Sequence, residues 1–113
     1  MYPGSTIDSH QSVSEQTDPA RYTAAHSFSL RVTGSAMAPE FPEGLILIVD
    51  TALNACAGDF VIVRTAKDVI TFRQLLHLND EYILRPINPL FPCLPLADGR
   101  IIGVLRESVR RLR

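Results

Sequence analysis

From residue 27 onward, the apolar residues of this chain fall into short runs separated by Gly, Pro, Asn and Asp. Residues 28–33 alternate apolar and polar side chains, as in a strand with one buried face. Residues 45–49 are an unbroken run of Leu, Ile and Val, which indicates a strand buried on both faces. No stretch of ten or more residues has the spacing of an amphipathic helix. The pattern therefore predicts a mostly β fold, with several short strands curled around a small core.

Turn residues divide the rest of the chain into further elements. Four strands are predicted over residues 60–64, 69–75, 82–85 and 100–105, with turns near 66–68, at 79–80 and at 98–99. One short helical turn is predicted over residues 36–41, because Pro39 near its start loses little by lacking an N–H group. Residues 109–113 either extend the last strand or fray.

Residues 1–26 differ in composition from the remainder. They are rich in Ser, Thr, Gln, Asp and Pro and poor in core-forming side chains, which is typical of a linker or mobile arm. We therefore assign residues 1–26 to a flexible linker or arm and residues 27–113 to one folded domain. A length of 113 residues with 46% apolar content suits a single modest core.

Charge, hydropathy and cysteine spacing argue against several classes of protein. The net charge of −1 is not that of a strongly basic nucleic-acid-binding domain. No apolar run approaches the roughly 20 residues of a membrane span, and no secretory signal is present, so we expect a cytoplasmic protein. Cys56 and Cys93 lack Cys-x-x-Cys spacing and clustered histidines, which favours free thiols over a metal site or redox pair. No metal or cofactor is expected.

Prolines recur at every third position from residue 86 to residue 95. This spacing matches a left-handed extended helix, which a proline-reading domain could bind. The apolar residues between the prolines instead favour a structural segment at a sheet edge, where proline is tolerated.

Several short motifs occur in a fixed order along the chain. They are the Gly34-Ser35-Ala36-Met37 turn after a strand, Val49-Asp50 at a strand end, Gly58-Asp59 at a strand start, Asn88-Pro89, and Ile102-Gly103-Val104. Together they resemble the LexA/UmuD group of self-cleaving serine-lysine peptidases, over about residues 28–106. The resemblance implies a LexA-like, signal-peptidase-type fold, with residues 27–113 as the C-terminal peptidase-fold domain.

Both residues of the family's catalytic dyad differ in this chain. The family's nucleophilic serine precedes the methionine, and Ala36 occupies that position here. The family's general-base lysine lies on a later strand, where this chain has Arg73. An alanine methyl group cannot attack a carbonyl, and arginine stays protonated in proteins. The resemblance thus implies a pseudo-enzyme with degenerate dyad positions Ala36 and Arg73.

Three observations bear on whether cleavage could survive. Ser35 could replace the nucleophile with Lys67 as base, but neighbouring residues of an extended segment point to opposite faces, and Lys67 lies in a polar turn. Ala36 could be an engineered replacement of serine, although the additional Arg73 argues against it. Family members carry an Ala-Gly or Cys-Gly scissile bond in the arm. The only match here, Ala57-Gly58, falls inside the predicted domain.

Other polar residues have simple structural interpretations. His77 has no nucleophile placed beside it by any motif, and Asp50 and Asp59 lie at strand ends, where Asp commonly satisfies turn backbone groups. The C-terminus is basic, which favours a solvated tail over a phosphate-binding patch. Its arginines are Arg106, Arg110, Arg111 and Arg113.

Two functions follow from the resemblance. The first is the dimerisation and regulatory domain of a LexA-like or phage-type transcriptional repressor of bacterial or phage origin. DNA would then be bound only through a helix-turn-helix domain, which these 113 residues lack, and release would require another route, such as an antirepressor protein. The alternative is a stand-alone UmuD-like dimeric partner of a translesion DNA polymerase in the SOS response.

Both functions require a homodimer, and the last predicted strand is the candidate interface. Its residues are too apolar to remain on an open sheet edge, where they would invite uncontrolled pairing. The candidate residues are Ile101, Ile102, Val104 and Leu105.

Overall fold

The computed structural model describes residues 26–110, which form one seven-stranded antiparallel sheet. The strands are β1 Ser27–Arg31, β2 Ile46–Asp50, β3 Phe60–Arg64, β4 Ile70–Leu78, β5 Glu81–Arg85, β6 Leu94–Pro95 and β7 Arg100–Val109. Their order across the sheet is β1-β2-β7-β3-β4-β5-β6. No helix occurs among these residues, and hence none that could span a membrane. The predicted mostly β fold is confirmed.

Strands β2 and β3 lie inside the sheet, and their side chains are apolar on both faces. Residues 46–49 of β2 are all buried, and Val61, Ile62 and Val63 of β3 are fully inaccessible to solvent. The predicted two-sided burial of residues 45–49 is confirmed. Strand β1 lies at one edge of the sheet and pairs only with β2 among the described strands.

The sheet packs an apolar cluster on each of two sides. The larger cluster includes Leu30, Met37, Phe41, Leu47 and Ile62, with Phe60 and Phe72 against it. Phe41 contacts these two rings edge-on, at centroid distances of 4.9 and 5.0 Å. The smaller cluster consists of Val61, Val63, Leu75, Leu84 and Val104. The larger cluster thus joins the loop between β1 and β2 to β3 and β4, which are distant from β1 in the sheet.

Strand β7 connects the two halves of the sheet by pairing with different neighbours along its length. Its first half pairs with β3 and its second half with β2, and Val104 is registered with both. Register shifts leave Ile102 unmatched against β3 and Arg106 unmatched against β2, as in β-bulges. These bulges bend a ten-residue strand around the core.

Residues 101–105 were predicted to cover a sheet edge in a dimer interface, but they do not lie at an edge of this sheet, and their role in an interface stays a prediction. Strand β7 lies between β2 and β3, and Val104 is 5% exposed in the smaller cluster. Ile101 packs on the smaller cluster, while Ile102 and Leu105 pack on the larger one. The apolar character of these residues is explained by the core of a single chain.

The turns follow the predictions. The predicted short helical turn is a single α-turn, closed by a bond from the Phe41 N–H to the Met37 carbonyl at 2.8 Å. Hairpin turns occur at residues 65–69 and at Asn79-Asp80, where both residues have positive φ. The proline segment forms edge strand β6, as predicted, but Pro86 is buried while Pro89, Pro92 and Pro95 are exposed. The four prolines therefore do not form one stripe.

The assignment of residues 1–26 to a linker falls outside the described residues, apart from His26, whose carbonyl accepts a bond from the Thr51 N–H at 2.7 Å. Arg111 and Arg113 also lie outside them.

Candidate functional site

The loop between β1 and β2 is fixed at both ends and by two buried side chains. The Val32 N–H donates to the Leu45 carbonyl and the Gly44 N–H to the Val32 carbonyl, each at 2.8 Å. Met37 and Phe41 insert into the larger cluster and are 2% and 6% exposed. Gly34 has φ of +77°, a left-handed conformation that glycine adopts without steric cost. The loop is thereby held in one conformation at the motif Gly34-Ser35-Ala36-Met37.

Asn88 joins this motif to the proline segment. Its side-chain Nδ2 donates to the Ser35 carbonyl at 3.0 Å, and its backbone N–H donates to the Ala36 carbonyl at 2.9 Å. Its Oδ1 accepts from the Leu90 N–H at 3.0 Å. In the sequence, Asn88 stands out only through the family resemblance, since a single Asn-Pro dipeptide indicates no more than a turn.

An open cavity of about 360 Å³ lies between the β1–β2 loop and the start of β4. The loop contributes Ser35, Ala36 and Met37, and β4 contributes Phe72 and Arg73. Residues 36 and 73 are thus brought to one cavity by the tertiary structure. This is the arrangement expected for the two degenerate dyad positions, and the loss of activity itself stays a prediction.

Arg73 is only partly satisfied at this cavity. Its Nη1 donates to the Phe72 carbonyl at 2.8 Å, while its buried Nε atom has no hydrogen-bond partner among the described residues. Burial lowers the pKa of Arg73 from its ordinary value, because desolvation disfavours the charged form. A guanidinium nevertheless remains protonated in proteins, so Arg73 has no lone pair with which to accept a serine proton.

The alternative pair of Ser35 and Lys67 is not assembled at the cavity. Lys67 is exposed in the β3–β4 turn and is not among the residues that line the cavity. The predicted extended backbone at Ser35 is wrong, because Ser35 lies in a bend and lines the cavity beside Ala36. None of the described residues that line the cavity is a base for Ser35.

The remaining polar candidates have the structural roles that were predicted. The His77 ring stacks on Tyr82 at a centroid distance of 4.4 Å. Asp50 accepts from the Ala52 N–H at 2.7 Å, and Asp59 accepts from the Cys56 N–H at 2.8 Å, so both carboxylates satisfy turn backbone.

The cysteines and the C-terminal arginines were the other candidate groups. Cys56 and Cys93 are free and exposed. Among residues 26–110, no three His, Cys, Asp or Glu side chains are grouped as metal ligands would be. Arg106 and Arg110 are exposed, but Arg106 lies within strand β7 and not in a tail.

Comparison with known proteins gives a consistent assignment. A family model described as Peptidase S24-like matches residues 2–106. The HTH-type transcriptional regulator for conjugative element R391 of Providencia rettgeri is 34% identical over 90 residues, covering 73% of this chain and 41% of that protein. Repressor protein C2 of Salmonella phage P22 is 33% identical over 88 residues, with the same coverages of 73% and 41%. Protein SamA of Salmonella typhimurium is 31% identical over 90 residues, covering 79% of this chain and 63% of SamA. The chain therefore spans less than two thirds of the length of each of these relatives.

Proposed function

The chain belongs to the Peptidase S24-like family, and from this premise we propose that it is the regulatory and self-association domain of a transcriptional repressor that does not cleave itself. The proposal rests on two relatives, one named as a transcriptional regulator and the other as a repressor. Most of this chain matches each of them, and the match covers less than half of each relative. Such a protein acts in the cytoplasm and binds DNA through a helix-turn-helix domain outside these 113 residues.

The chemistry of the cavity supports the absence of self-cleavage. Acyl transfer by a serine-lysine dyad requires a hydroxyl nucleophile and a neutral amine within reach of it. Ala36 supplies a methyl group, and Arg73 supplies a cation that already donates to the Phe72 carbonyl. A repressor with this cavity is released from DNA by a partner, such as an antirepressor protein, and not by cleavage.

A second candidate is a stand-alone UmuD-like dimeric partner of a translesion DNA polymerase. It is favoured by the match to SamA. This chain covers 63% of SamA but only 41% of each of the two regulators, so less of SamA lies outside the match. This candidate would be favoured if the chain binds a translesion polymerase and a matched helix-turn-helix fusion of the chain does not.

The proposed function can be tested by fusing the chain to a monomeric helix-turn-helix module. An operator with two half-sites then reports association, because two linked modules bind far more tightly than one. We expect at least roughly 10-fold stronger repression by the fusion than by the module alone, given the usual gain from bivalence. Repression should persist after DNA damage, since no cleavage releases the dimer.

A fusion carrying Val104→Asp serves as the control, because a charge at this buried position unfolds the domain. Repression no stronger than that of the module alone would contradict self-association. Loss of repression together with a shortened fusion protein after DNA damage would contradict the inactive cavity.

A further inference from the structure

Two arginines and no carboxylate line the cavity at the β1–β2 loop. Arg31, the last residue of β1, and Arg73 of β4 both contribute to its wall. None of the described residues lining it is Asp or Glu. The only ion pair among residues 26–110 joins Arg64 to Asp68, in the β3–β4 turn. The positive charge in the cavity is therefore not compensated within the described part of the chain.

Arg73 has unused hydrogen-bonding capacity. A guanidinium carries five N–H donors, and the described residues accept only one bond from Arg73, at the Phe72 carbonyl. Its buried Nε–H has no acceptor among the described residues, which is unfavourable for a charged group. Three further N–H donors, on the Nη atoms, also lack an acceptor there, and an anion in the cavity would pair with the positive charge. A carboxylate fits best, because its two oxygens match the fork of guanidinium N–H groups.

The rest of the wall is apolar and suits the body of a small ligand. Leu30, Met37, Ile70 and Phe91 are among its residues. The volume of about 360 Å³ lies in the range of small-molecule sites. Thr33 and Thr71 also line the cavity and offer hydroxyl groups. An occupant with a short hydrocarbon body and one anionic end would satisfy both parts of the wall.

We propose that this cavity is a carboxylate-binding site, in which Arg73 binds the carboxylate, Arg31 adds positive charge, and the apolar wall holds an attached aliphatic body. The chemistry is shared by a free small organic acid and by an Asp or Glu side chain of the chain's own residues 1–25, which contain Asp8, Glu15 and Asp18. Arg73, at one of the two degenerate dyad positions, would then bind a ligand. The site goes beyond the proposed function and does not depend on it, because it concerns ligand binding alone.

The test follows the side-chain Nε–H signal of Arg73 by nuclear magnetic resonance, with hexanoate as the probe. The full chain is compared with the variant Asp8→Asn/Glu15→Gln/Asp18→Asn. In the variant, hexanoate should shift the Arg73 signal saturably, with a dissociation constant on the order of 1 mM for a ligand of so few atoms. Hexanamide has the same body without the charge and should leave the signal in place.

Two substitutions isolate the role of Arg73. Arg73→Gln should weaken hexanoate binding about 10-fold or more, because it removes a charge-assisted hydrogen bond. Here binding is followed through the backbone signals of the cavity, which also show that the variant folds. Arg100→Gln, at an exposed arginine of β7 that does not line the cavity, should leave hexanoate binding unchanged.

The comparison of the two chains identifies the source of the carboxylate. If neutralising residues 8, 15 and 18 itself moves the Arg73 signal and tightens hexanoate binding, the chain's own carboxylate occupies the site. If hexanoate binds both chains equally, the site takes a separate acid. Absence of a saturable shift in the neutralised variant, or an equal shift with hexanamide, would overturn the proposal.

Discussion

The methyl group of Ala36 and the guanidinium of Arg73 line one cavity but cannot exchange a proton. One side chain has no acidic hydrogen, and the other is already protonated and donates to the Phe72 carbonyl. Restoring the nucleophile alone would therefore place a hydroxyl beside a fixed cation.

Ala36→Ser alone should not restore self-cleavage, because the serine would have no base. The double variant Ala36→Ser/Arg73→Lys, with an Ala-Gly bond introduced before residue 26, should cleave at least roughly 100-fold faster, the usual contribution of a positioned general base. Mass spectrometry after incubation near pH 10, where a lysine loses its proton more readily, measures both rates. Cleavage by the single variant would show that another residue acts as the base.

Gly103 illustrates a second constraint at the scale of one residue. A Cβ atom at this position would lie 2.2 Å from Cγ1 of Val49, which is itself fully buried. The backbone of β7 thus approaches β2 too closely for any larger residue, which explains the glycine in Ile102-Gly103-Val104.

Gly103→Ala should lower the free energy of unfolding by about 1–3 kcal/mol, the usual cost of overpacking a core. Urea denaturation measures the effect as a lower midpoint with an unchanged slope. In a Val49→Ala background the same substitution should cost less, because the clashing methyl group is gone. Equal costs in both backgrounds would contradict the contact.

At the scale of elements, the β1–β2 loop and the proline segment are held together by Asn88. Its backbone and side chain bond to the carbonyls of Ser35 and Ala36, and its Oδ1 organises the turn through the Leu90 N–H. The cavity wall contributed by Phe91 depends on this link, since Phe91 lies in the same turn.

Asn88→Ala should destabilise the domain by about 1 kcal/mol and accelerate hydrogen exchange at the Leu90 N–H, because two side-chain hydrogen bonds are lost. Asn88→Asp keeps the Oδ1 acceptor and loses the Nδ2 donor, so it should preserve protection at Leu90. Asn54→Ala is the control, at an exposed asparagine with no hydrogen bond among the described residues. Equal exchange at Leu90 in all three variants would contradict the assigned role.

At the scale of the whole molecule, the proposed self-association requires surface that the sheet leaves free. The apolar side chains of residues 101–105 pack on the two apolar clusters. Residues 106–109 are mostly exposed and pair with β2, but no described residue of β3 is registered with them. This half of β7 combines a backbone side that is unpaired among the described residues with mostly exposed side chains, so we expect it to pair with a second copy.

We expect a dimer at tens of micromolar, with an interface on the order of 800 Å² per partner. Ser108→Asp should shift the equilibrium toward monomer without unfolding, because a two-fold axis brings like charges together at an exposed position. Sedimentation velocity measures both, with Lys67→Gln in the β3–β4 turn as the control. A monomer for the unsubstituted chain under these conditions would refute the interface.

The sequence by itself determined the mostly β fold and the positions of most strands. Period-two alternation in residues 28–33 and the unbroken apolar run in residues 45–49 follow directly from side-chain burial in a sheet. The turns at residues 66–68 and 79–80 were marked by polar residues that adopt positive φ. Ala36 and Arg73 were identified as candidate positions through the family resemblance, which depends on the order of short motifs along the chain.

Only the tertiary structure decided which strands are neighbours and therefore which residues share a surface. Strand β7 is last in the chain yet third in the sheet, so residues 101–105, which were expected at a sheet edge within a dimer interface, pack on the two apolar clusters. Edge and interior strands can carry equally apolar residues, and pattern alone does not separate them. The cavity shared by Ala36, Arg31 and Arg73, and the link made by Asn88, likewise depend on contacts between segments far apart in the chain. Such contacts are set by packing of the whole sheet, for which no local pattern exists.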